Sequence, residues 1–130
     1  MVRSMSTGNN RTVLTTGANS GIGLATVLHL ARLGFRSVGS VRSDAKASEV
    51  ARAAASAGVS VDTVLLDVTA ARRCAAVINE VQPWAVVNSA GYPGVGAIED
   101  VSDREARRQL ETMVIAPMRL AEPVIDIPRP

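Results

Sequence analysis

Three glycines lie close together in the stretch TGANSGIG, which spans Thr16–Gly23. An apolar, β-branched run precedes it and a long apolar-rich run follows, so it predicts a loop between a strand and a helix. The first N–H groups of a helix have no intrahelical acceptor, and the helix dipole is positive there, so such a loop can bind a phosphate. We interpret Gly17 as the tight turn, Gly21 as the close approach to a pyrophosphate and Gly23 as the close contact between helix and strand.

The spacing of these glycines, G-x-x-x-G-x-G, differs from the common G-x-G-x-x-G fingerprint, and no G-K-[ST] of a Walker A loop follows. On this stretch alone, a structural turn that binds nothing remains the alternative. Cys74 is the single cysteine, which excludes an internal disulfide and is typical of a small buried residue on a helix. His29 is interpreted as a packed or surface helix residue and Trp84 as a packed one, and no metal site is predicted.

The composition is that of one globular domain, with 130 residues of which 47% are hydrophobic and 20% are charged. The net charge of +2 comes from arginines spread along the chain, so no nucleic-acid-binding surface is predicted. No apolar run reaches the roughly 18 residues of a membrane span. The first residues are polar and lack the apolar core of a signal peptide. We therefore expect a cytoplasmic protein that binds neither nucleic acid nor a membrane.

Short β-rich runs alternate with helical stretches along the chain. The runs predict four strands, at Thr12–Thr16, Ser37–Val41, Val61–Val68 and Trp84–Ala90. Helices are predicted at Ile22–Gly34, at Asp44–Gly58, from a Thr69 N-cap to Val81, and from a Ser102–Glu105 capping box to Leu120. Pro117 lies inside the last helix and predicts a kink or an early end.

Repeated β-α units with short connections predict a parallel sheet that is covered on both faces. The predicted fold class is α/β, a Rossmann-type doubly wound parallel sheet, truncated to about four strands in the order 3-2-1-4. Residues 1–10 are predicted to be a disordered lead-in and residues 11–122 the incomplete domain. Residues 123–130, which contain three prolines, are predicted to be an irregular tail.

Three motifs, each at the end of its own predicted strand, resemble those of the short-chain dehydrogenases/reductases. TGANSGIG is similar to the T-G-x-x-x-G-x-G cofactor loop, NSAG at Asn88–Gly91 is similar to the N-N-A-G motif, and LDVT places Asp67 where the family contacts adenine. The resemblance covers roughly residues 11–120 and implies an NAD(P)-binding domain. The cofactor-binding residues that it implies are Thr16, Gly17, Asn19, Ser20, Gly21, Ile22, Gly23, Arg42, Asp67, Val68, Asn88, Ala90 and Gly91.

The end of the second strand predicts which nicotinamide cofactor is preferred. A domain that prefers NAD usually has an Asp or Glu there to accept from the ribose 2′-hydroxyl. In this chain the aligned residue is Val41, and Arg42 follows it. A guanidinium at this place can bind a 2′-phosphate through two hydrogen bonds, so we expect NADP(H) to be preferred over NAD(H). The alternative is that Arg42 is a solvated surface residue.

The groups that carry out the chemistry in the resembling family are not found in this chain. The family uses a Tyr-x-x-x-Lys pair, an upstream Ser and an Asn. The single tyrosine here, Tyr92, is followed four residues later by Gly96, and the single lysine, Lys46, lies far upstream on a predicted surface helix. The family's Asn aligns with Met113, whose thioether cannot replace an amide. By family spacing, the Ser and the Tyr–Lys pair would fall past Pro130, so no catalytic residue is predicted.

Two functions remain open from the sequence. The first is the cofactor-binding part of an NADP(H)-dependent short-chain oxidoreductase that acts on an alcohol or a carbonyl. The second is a truncated, non-catalytic nucleotide-binding module. In either case the fourth strand is expected to lie at the edge of the sheet, where unpaired backbone groups on an apolar strand favour self-association.

Overall fold

The computed structural model describes residues 10–126, which form one parallel sheet with helices on both faces. The strands are β1 (Thr12–Thr15), β2 (Arg36–Val41), β3 (Asp62–Leu65) and β4 (Ala85–Val87). The α-helices are α1 (Gly21–Arg32), α2 (Asp44–Ala57), α3 (Ala71–Val81), α4 (Asp103–Leu110) and α5 (Ala116–Ile125). A short 3₁₀ turn occupies Ile98–Asp100, and a π turn at Glu111–Ile115 joins α4 to α5.

The strand order is β3-β2-β1-β4, with every neighbouring pair parallel. Leu14 in β1 is paired with Val38 in β2 on one side and with Val86 in β4 on the other. The predicted doubly wound Rossmann-type sheet, its order and the edge position of the fourth strand are therefore confirmed for the described residues. Because all four strands run the same way, their carboxyl ends meet along one edge of the sheet.

Two clusters of buried side chains hold the helices on the sheet. On one face, β1 and β2 pack against α3 and α5 through Leu14, Val38, Leu66, Val68, Cys74, Val77, Ile78, Ala116, Leu120 and Val124. On the other face, α1 and α2 pack through Ala18, Val27, Val41 and Val50. Val38 and Val41 lie in opposite clusters because their side chains alternate along β2. The predicted burial of Cys74 is confirmed.

The third and fourth strands are shorter than predicted. We expected them to extend to Val68 and Ala90, whereas β3 ends at Leu65 and β4 at Val87. The apolar pattern continues past the end of β3 because Leu66 and Val68 are buried in the cluster that includes α3, and the N–H of Leu66 still donates to the carbonyl oxygen of Val41 at 2.9 Å. The residues that follow the strands lie at the carboxyl edge of the sheet.

The predicted N-cap at Thr69 is wrong. Helix α3 begins at Ala71, and Ala70 precedes it without a side-chain cap. The N–H and the hydroxyl of Thr69 both donate to Oδ1 of Asp67, at 3.0 and 2.7 Å. Asp67 therefore forms a local side-chain turn with the residue two positions on, which uses the hydroxyl that a helix cap would need.

The last helix also differs from the prediction. The capping box of Ser102 and Glu105 is confirmed, but the chain remains helical to Ile125, so the predicted irregular tail is wrong for residues 123–125. Pro117 does not end the helix because it lies in the first turn of α5, directly after the π turn, where its missing N–H is tolerated. Residues 1–9 of the predicted lead-in and residues 127–130 of the predicted tail lie outside the described residues.

Candidate nucleotide-binding site

A cleft of about 600 Å³ lies at the carboxyl edge of the sheet. It is formed by the segments that follow all four strands together with one side of α4 and the π turn. The residues that line it are Gly17, Asn19, Ser20, Ile22, Gly23, Ser40, Val41, Arg42, Lys46, Leu66, Asp67, Val68, Thr69, Ser89, Ala90, Gly91, Tyr92, Arg108 and Thr112. A cleft outside the carboxyl ends of parallel strands is the usual ligand site of open α/β sheets.

The glycine loop between β1 and α1 leaves no room for a side chain at two of its positions. Gly17 has a positive φ of 64°, and a Cβ on it would lie 2.8 Å from the Cα of Ala90. A Cβ on Gly23 would collide with the carbonyl oxygen of Gly17. Both positions therefore need glycine. Gly17 needs it because of its positive φ and the nearby backbone of Ala90, and Gly23 needs it because the helix starts directly against the turn.

The first turn of α1 is open to a ligand. Ser20 is the N-cap residue, but its side chain makes no capping hydrogen bond, and the turn contains no acidic residue. Within residues 10–126 the first N–H groups of this 12-residue helix therefore have no side-chain acceptor, and Ser20, Ile22 and Gly23 beside them line the cleft. Such an arrangement fits a phosphate or pyrophosphate group.

Thr16 ties the glycine loop to the segment after β4. Its buried Oγ1 accepts hydrogen bonds from the N–H groups of Ser89, at 3.1 Å, and Ala90, at 3.0 Å. Its own N–H donates to the carbonyl oxygen of Val87 at 3.0 Å. Thr16 does not line the cleft itself, and it positions the two segments that do.

Two cations lie at the junction of β2 and α2. Arg42 is exposed, and its guanidinium makes no hydrogen bond or ion pair with any residue in 10–126. Lys46, which is predicted to lie on a surface helix far upstream of Tyr92, is half-buried in the first turn of α2 and lines the cleft. Val41, where an NAD-preferring domain would carry a carboxylate, is buried between α1 and α2.

Asp67 is the single carboxylate among the described residues that line the cleft. The hydrogen bonds from Thr69 lower the pKa of the Asp67 carboxyl below its usual 3.8; burial opposes them, and the positive charges of Arg42 and Arg108 make smaller lowering contributions. Both bonds from Thr69 end on Oδ1, and Oδ2 has no hydrogen-bond partner in the part of the chain that is described. A carboxylate with a free oxygen can accept from an amino group of a ligand.

The hydroxyl of Ser40 is a buried polar atom without a partner among residues 10–126. Ser40 is 1% exposed, lies at the end of β2 and lines the cleft. Buried hydroxyl groups are normally hydrogen-bonded, so an orphaned one beside an open cleft fits a site that a polar ligand or an ordered water completes. Together with the open turn of α1 and the cations at β2, the residues present fit a dinucleotide.

Most of the predicted cofactor-binding residues line this cleft, and the exceptions are Thr16, Gly21 and Asn88. Asn19 lines it with its amide nitrogen 3.4 Å from Oε2 of Glu49. The sequence analysis missed Lys46, Arg108 and Thr112. The last two are four residues apart and so share one face of a helix, but which face turns toward the cleft depends on the π turn, which has no clear sequence signal.

The other residues with reactive side chains do not form a catalytic group in the described chain. Tyr92 lies on the cleft wall, 38% exposed, and Met113 packs against Gly91, whose added Cβ would lie 3.4 Å from Cε. The thiol of Cys74 donates to the carbonyl oxygen of Val68 at 3.3 Å, and burial raises its pKa, so it is not a reactive thiolate. His29 is exposed on α1.

Residues 10–126 contain neither a helix that could span a membrane nor a cluster of side chains that could hold a metal ion. No helix there combines the length and the apolar character that crossing a membrane requires. No group of three or more His, Cys, Asp or Glu side chains lies close enough together to hold a metal ion.

The parallel sheet, the glycine loop and the cleft at the carboxyl edge define a Rossmann-type nucleotide-binding domain. The family model for short chain dehydrogenase matches residues 11–127, and the chain belongs to that family. A 3-oxoacyl-(acyl-carrier-protein) reductase, FabG, from Pseudomonas aeruginosa is 31% identical over 120 residues, which are 88% of this chain and 49% of that protein. The uncharacterised oxidoreductase YusZ of Bacillus subtilis is 32% identical over 123 residues, 90% of this chain and 44% of that protein.

Solved structures agree with this assignment. A variant of the actinorhodin polyketide ketoreductase with NADPH superimposes with a TM-score of 0.80 at 30% identity, covering 94% of this chain and 49% of that one. L-sorbose reductase from Gluconobacter frateurii, complexed with NADPH and L-sorbose, gives 0.79 at 30% identity, covering 89% and 46%. The chain thus spans about half the length of the proteins it matches.

Proposed function

We propose that this chain is the NADP(H)-binding part of a short-chain oxidoreductase that acts on an alcohol or a carbonyl compound. The observation that carries the proposal is the cleft itself: the uncapped first turn of α1 opens into it, and Arg42 and Lys46 line it at the β2–α2 junction. A dinucleotide phosphate carries negative charge at both the pyrophosphate and the 2′-position, which matches these two features.

Each part of the dinucleotide has residues that would hold it. The pyrophosphate would bind the first turn of α1, where Gly21 exposes the backbone. The 2′-phosphate would bind Arg42, with Lys46 and the hydroxyl of Ser40 nearby, and the adenine would donate from its amino group to Asp67. Ala90 and Gly91 would bound the other wall. When bound, the dinucleotide supplies or accepts a hydride, and the residues described here bind and orient it.

The preference for NADP(H) rests on the β2–α2 junction. Val41 offers no acceptor to a ribose 2′-hydroxyl and no negative charge to repel a phosphate, while the Arg42 guanidinium is unpaired among the described residues. NADPH is named in the ketoreductase and L-sorbose reductase structures that the chain resembles. The curated relative that is named for its reaction is also a reductase.

Binding of the free chain tests the proposal. Titration with NADPH, followed by the nicotinamide fluorescence, should show saturable binding that is at least several-fold tighter than that of NADH. NADP and adenosine 2′,5′-bisphosphate should compete with NADPH. The absence of saturable binding by either reduced dinucleotide would overturn the proposal, and equal affinity for both would overturn the preference.

A non-catalytic nucleotide-binding module is the second candidate function. Met113 supports it, because the resemblance places an asparagine at this position and a thioether instead packs against Gly91. Consumption of NADPH with a panel of ketones tests the prediction that the two candidates share. The isolated chain should show binding without turnover, and turnover by purified chain would contradict the view that it lacks the proton-transfer groups.

Self-association through β4 belongs to the same proposal. The strand is three residues long and half-buried, and within the described residues it pairs on one side, with β1. An unpaired parallel edge is a template for another strand. Sedimentation velocity across a wide range of concentrations should show a reversible increase in mass, and a constant monomer would contradict this part of the proposal.

A further inference from the structure

Arg108 is a cation of the cleft that the proposed function does not use. It projects from α4 and lines the cleft with Tyr92 and Thr112. Its guanidinium makes no hydrogen bond or ion pair with residues 10–126, and it lies over the Tyr92 ring at 5.8 Å from the ring centroid. That distance is within the range of a cation–π contact.

The helix around Arg108 directs this side chain to the cleft. Its carbonyl oxygen accepts from the hydroxyl of Thr112 at 3.0 Å, and Thr112 is 8% exposed. Thr112 belongs to the π turn, which changes the winding of the helix directly after α4. This intrahelical hydrogen bond joins the Arg108 backbone to a buried residue of the π turn, and both residues line the cleft.

The charge of Arg108 acts at the same place as that of Arg42. After the hydrogen bonds of Thr69, both arginines contribute to the lowered pKa of Asp67, which places both within electrostatic reach of this carboxylate. They come from different parts of the fold, Arg42 from the end of β2 and Arg108 from α4. Both guanidinium groups line the cleft together with Asp67, and neither has a carboxylate partner at ion-pair distance in the described chain.

We propose that Arg108 is a positioning residue for the adenine base. Its guanidinium, which lies over the ring of Tyr92, covers one face of the base, while Asp67 accepts a hydrogen bond from the amino group of the base. A guanidinium is planar and weakly hydrated and stacks well on aromatic faces. A base between the two residues would donate a hydrogen bond from its edge to the free Oδ2 of Asp67 and would stack its face on the guanidinium of Arg108. This inference rests on the proposed function, because it requires the adenosine half of a dinucleotide in the cleft.

The test compares ligands with and without the base. Arg108→Ala and Arg108→Lys are prepared in the 130-residue chain, with Arg107→Ala as the control, because Arg107 is exposed on the same helix and does not line the cleft. Calorimetric titration uses ADP-ribose, which contains adenine, and reduced nicotinamide mononucleotide, which does not. Thermal unfolding of each variant verifies that it is folded.

Arg108→Ala should weaken ADP-ribose binding by about 5- to 100-fold, the range expected for loss of one stacked contact to a base. Binding of the mononucleotide and the behaviour of Arg107→Ala should match the wild type. Arg108→Lys should resemble the alanine variant, because lysine keeps the positive charge but lacks the planar guanidinium that stacks on the base. The loss should persist in about 1 M salt, where charge effects are screened.

Three outcomes would overturn the inference. If Arg108→Ala binds ADP-ribose as tightly as Arg107→Ala does, Arg108 does not contact the ligand. If Arg108→Lys restores binding and the defect disappears in high salt, Arg108 attracts the phosphates and does not cover the base. If the wild type binds neither ADP-ribose nor NADPH, the proposed function fails, and the inference fails with it.

Discussion

The hydroxyl of Thr16 accepts a hydrogen bond from the backbone N–H of Ala90 at 3.0 Å, across 74 positions of the chain. The same oxygen accepts from the N–H of Ser89 at 3.1 Å. One side chain thereby joins the glycine loop after β1 to the segment after β4. These hydrogen bonds join two segments that both line the cleft, through a residue that does not line it itself.

Thr16→Val should lower the free energy of unfolding by about 1–3 kcal/mol, because two partly buried N–H groups lose their acceptor while the shape is kept. Urea denaturation measures the change. Thr15→Val is the matched control: the hydroxyl of Thr15 is buried without a partner among residues 10–126, so its removal should be neutral or stabilising. Equal destabilisation by both variants would show that the hydrogen bonds of Thr16 are not the cause.

Arg42→Ala should weaken NADPH binding by about 10- to 150-fold, the loss expected for a charge-assisted contact to a phosphate. NADH binding should be unchanged, since NADH has no 2′-phosphate. Fluorescence titration of both cofactors measures the two affinities. Arg52→Ala, which removes an exposed arginine of α2 outside the cleft, is the control for net charge. An equal loss for both cofactors would remove the basis for the NADP(H) preference.

Substitutions in the glycine loop should separate folding from binding. Gly23→Ala should lower both stability and NADPH affinity, because its methyl group would collide with the backbone at Gly17. Gly21→Ala meets nothing within 4 Å, so it should cost only the strain of its φ of 55°, about 1–2 kcal/mol, and yet weaken binding by intruding on the pyrophosphate.

Gly58→Ala is the control for this strain. Gly58 has a similar φ of 68° at the end of α2, with open space around it and no contribution to the cleft. It should lose as much stability as Gly21→Ala and bind NADPH like the wild type. If it loses affinity to the same extent, then strain alone weakens binding, and Gly21 has no special relation to the ligand.

The local turn at Asp67 should appear in the pH dependence of stability. The pKa of Asp67 is lowered in the folded chain, so its ionised form stabilises the fold above the unfolded pKa of about 3.9, and this stabilisation is lost as the pH falls through the lower, folded pKa. Thr69→Val removes the hydroxyl donor and should move the pKa upward. Carboxyl chemical shifts measured against pH follow Asp67 directly.

Thr63→Val is the control, since Thr63 is exposed on β3 and does not contact Asp67. The wild type should be more stable than Thr69→Val at neutral pH, and the difference should shrink in acid as the carboxylate is protonated. A difference that stays constant through the acid range would show that Thr69 does not act through the ionisation of Asp67.

The sequence predicts the sheet and its glycine loop well because both depend on local signals. Alternating strand and helix patterns determine the parallel order, and the motif spacing places Gly17, Asp67 and Ala90 at strand ends. It predicts Thr69 poorly, because a threonine before a helix is equally suited to a cap and to a side-chain turn, and the nearby carboxylate decides between them. The local sequence pattern does not show which of the two, the helix cap or the side-chain turn, will form.

Arg108 and Lys46 were missed for a different reason. Arg108 lies on a largely polar helix and Lys46 on an alanine-rich one, and on both an exposed arginine or lysine is the ordinary expectation. Whether such a side chain faces a cleft depends on how the helix is rotated against the sheet. No residue of α4 is buried, and its placement depends on the buried residues of α5 beyond the π turn and on the hydrogen bond from the Gln109 amide to the carbonyl oxygen of Tyr92 at 3.1 Å.

The π turn has a consequence for the phase of this long helix. Arg108, Thr112, Ala116, Leu120 and Val124 recur every four residues, and in an ideal α-helix such a row drifts by about 40° at each step. Wider winding across Glu111–Ile115 offsets part of this drift, so that the part of the helix that faces the cleft and the part that faces the core stay in phase.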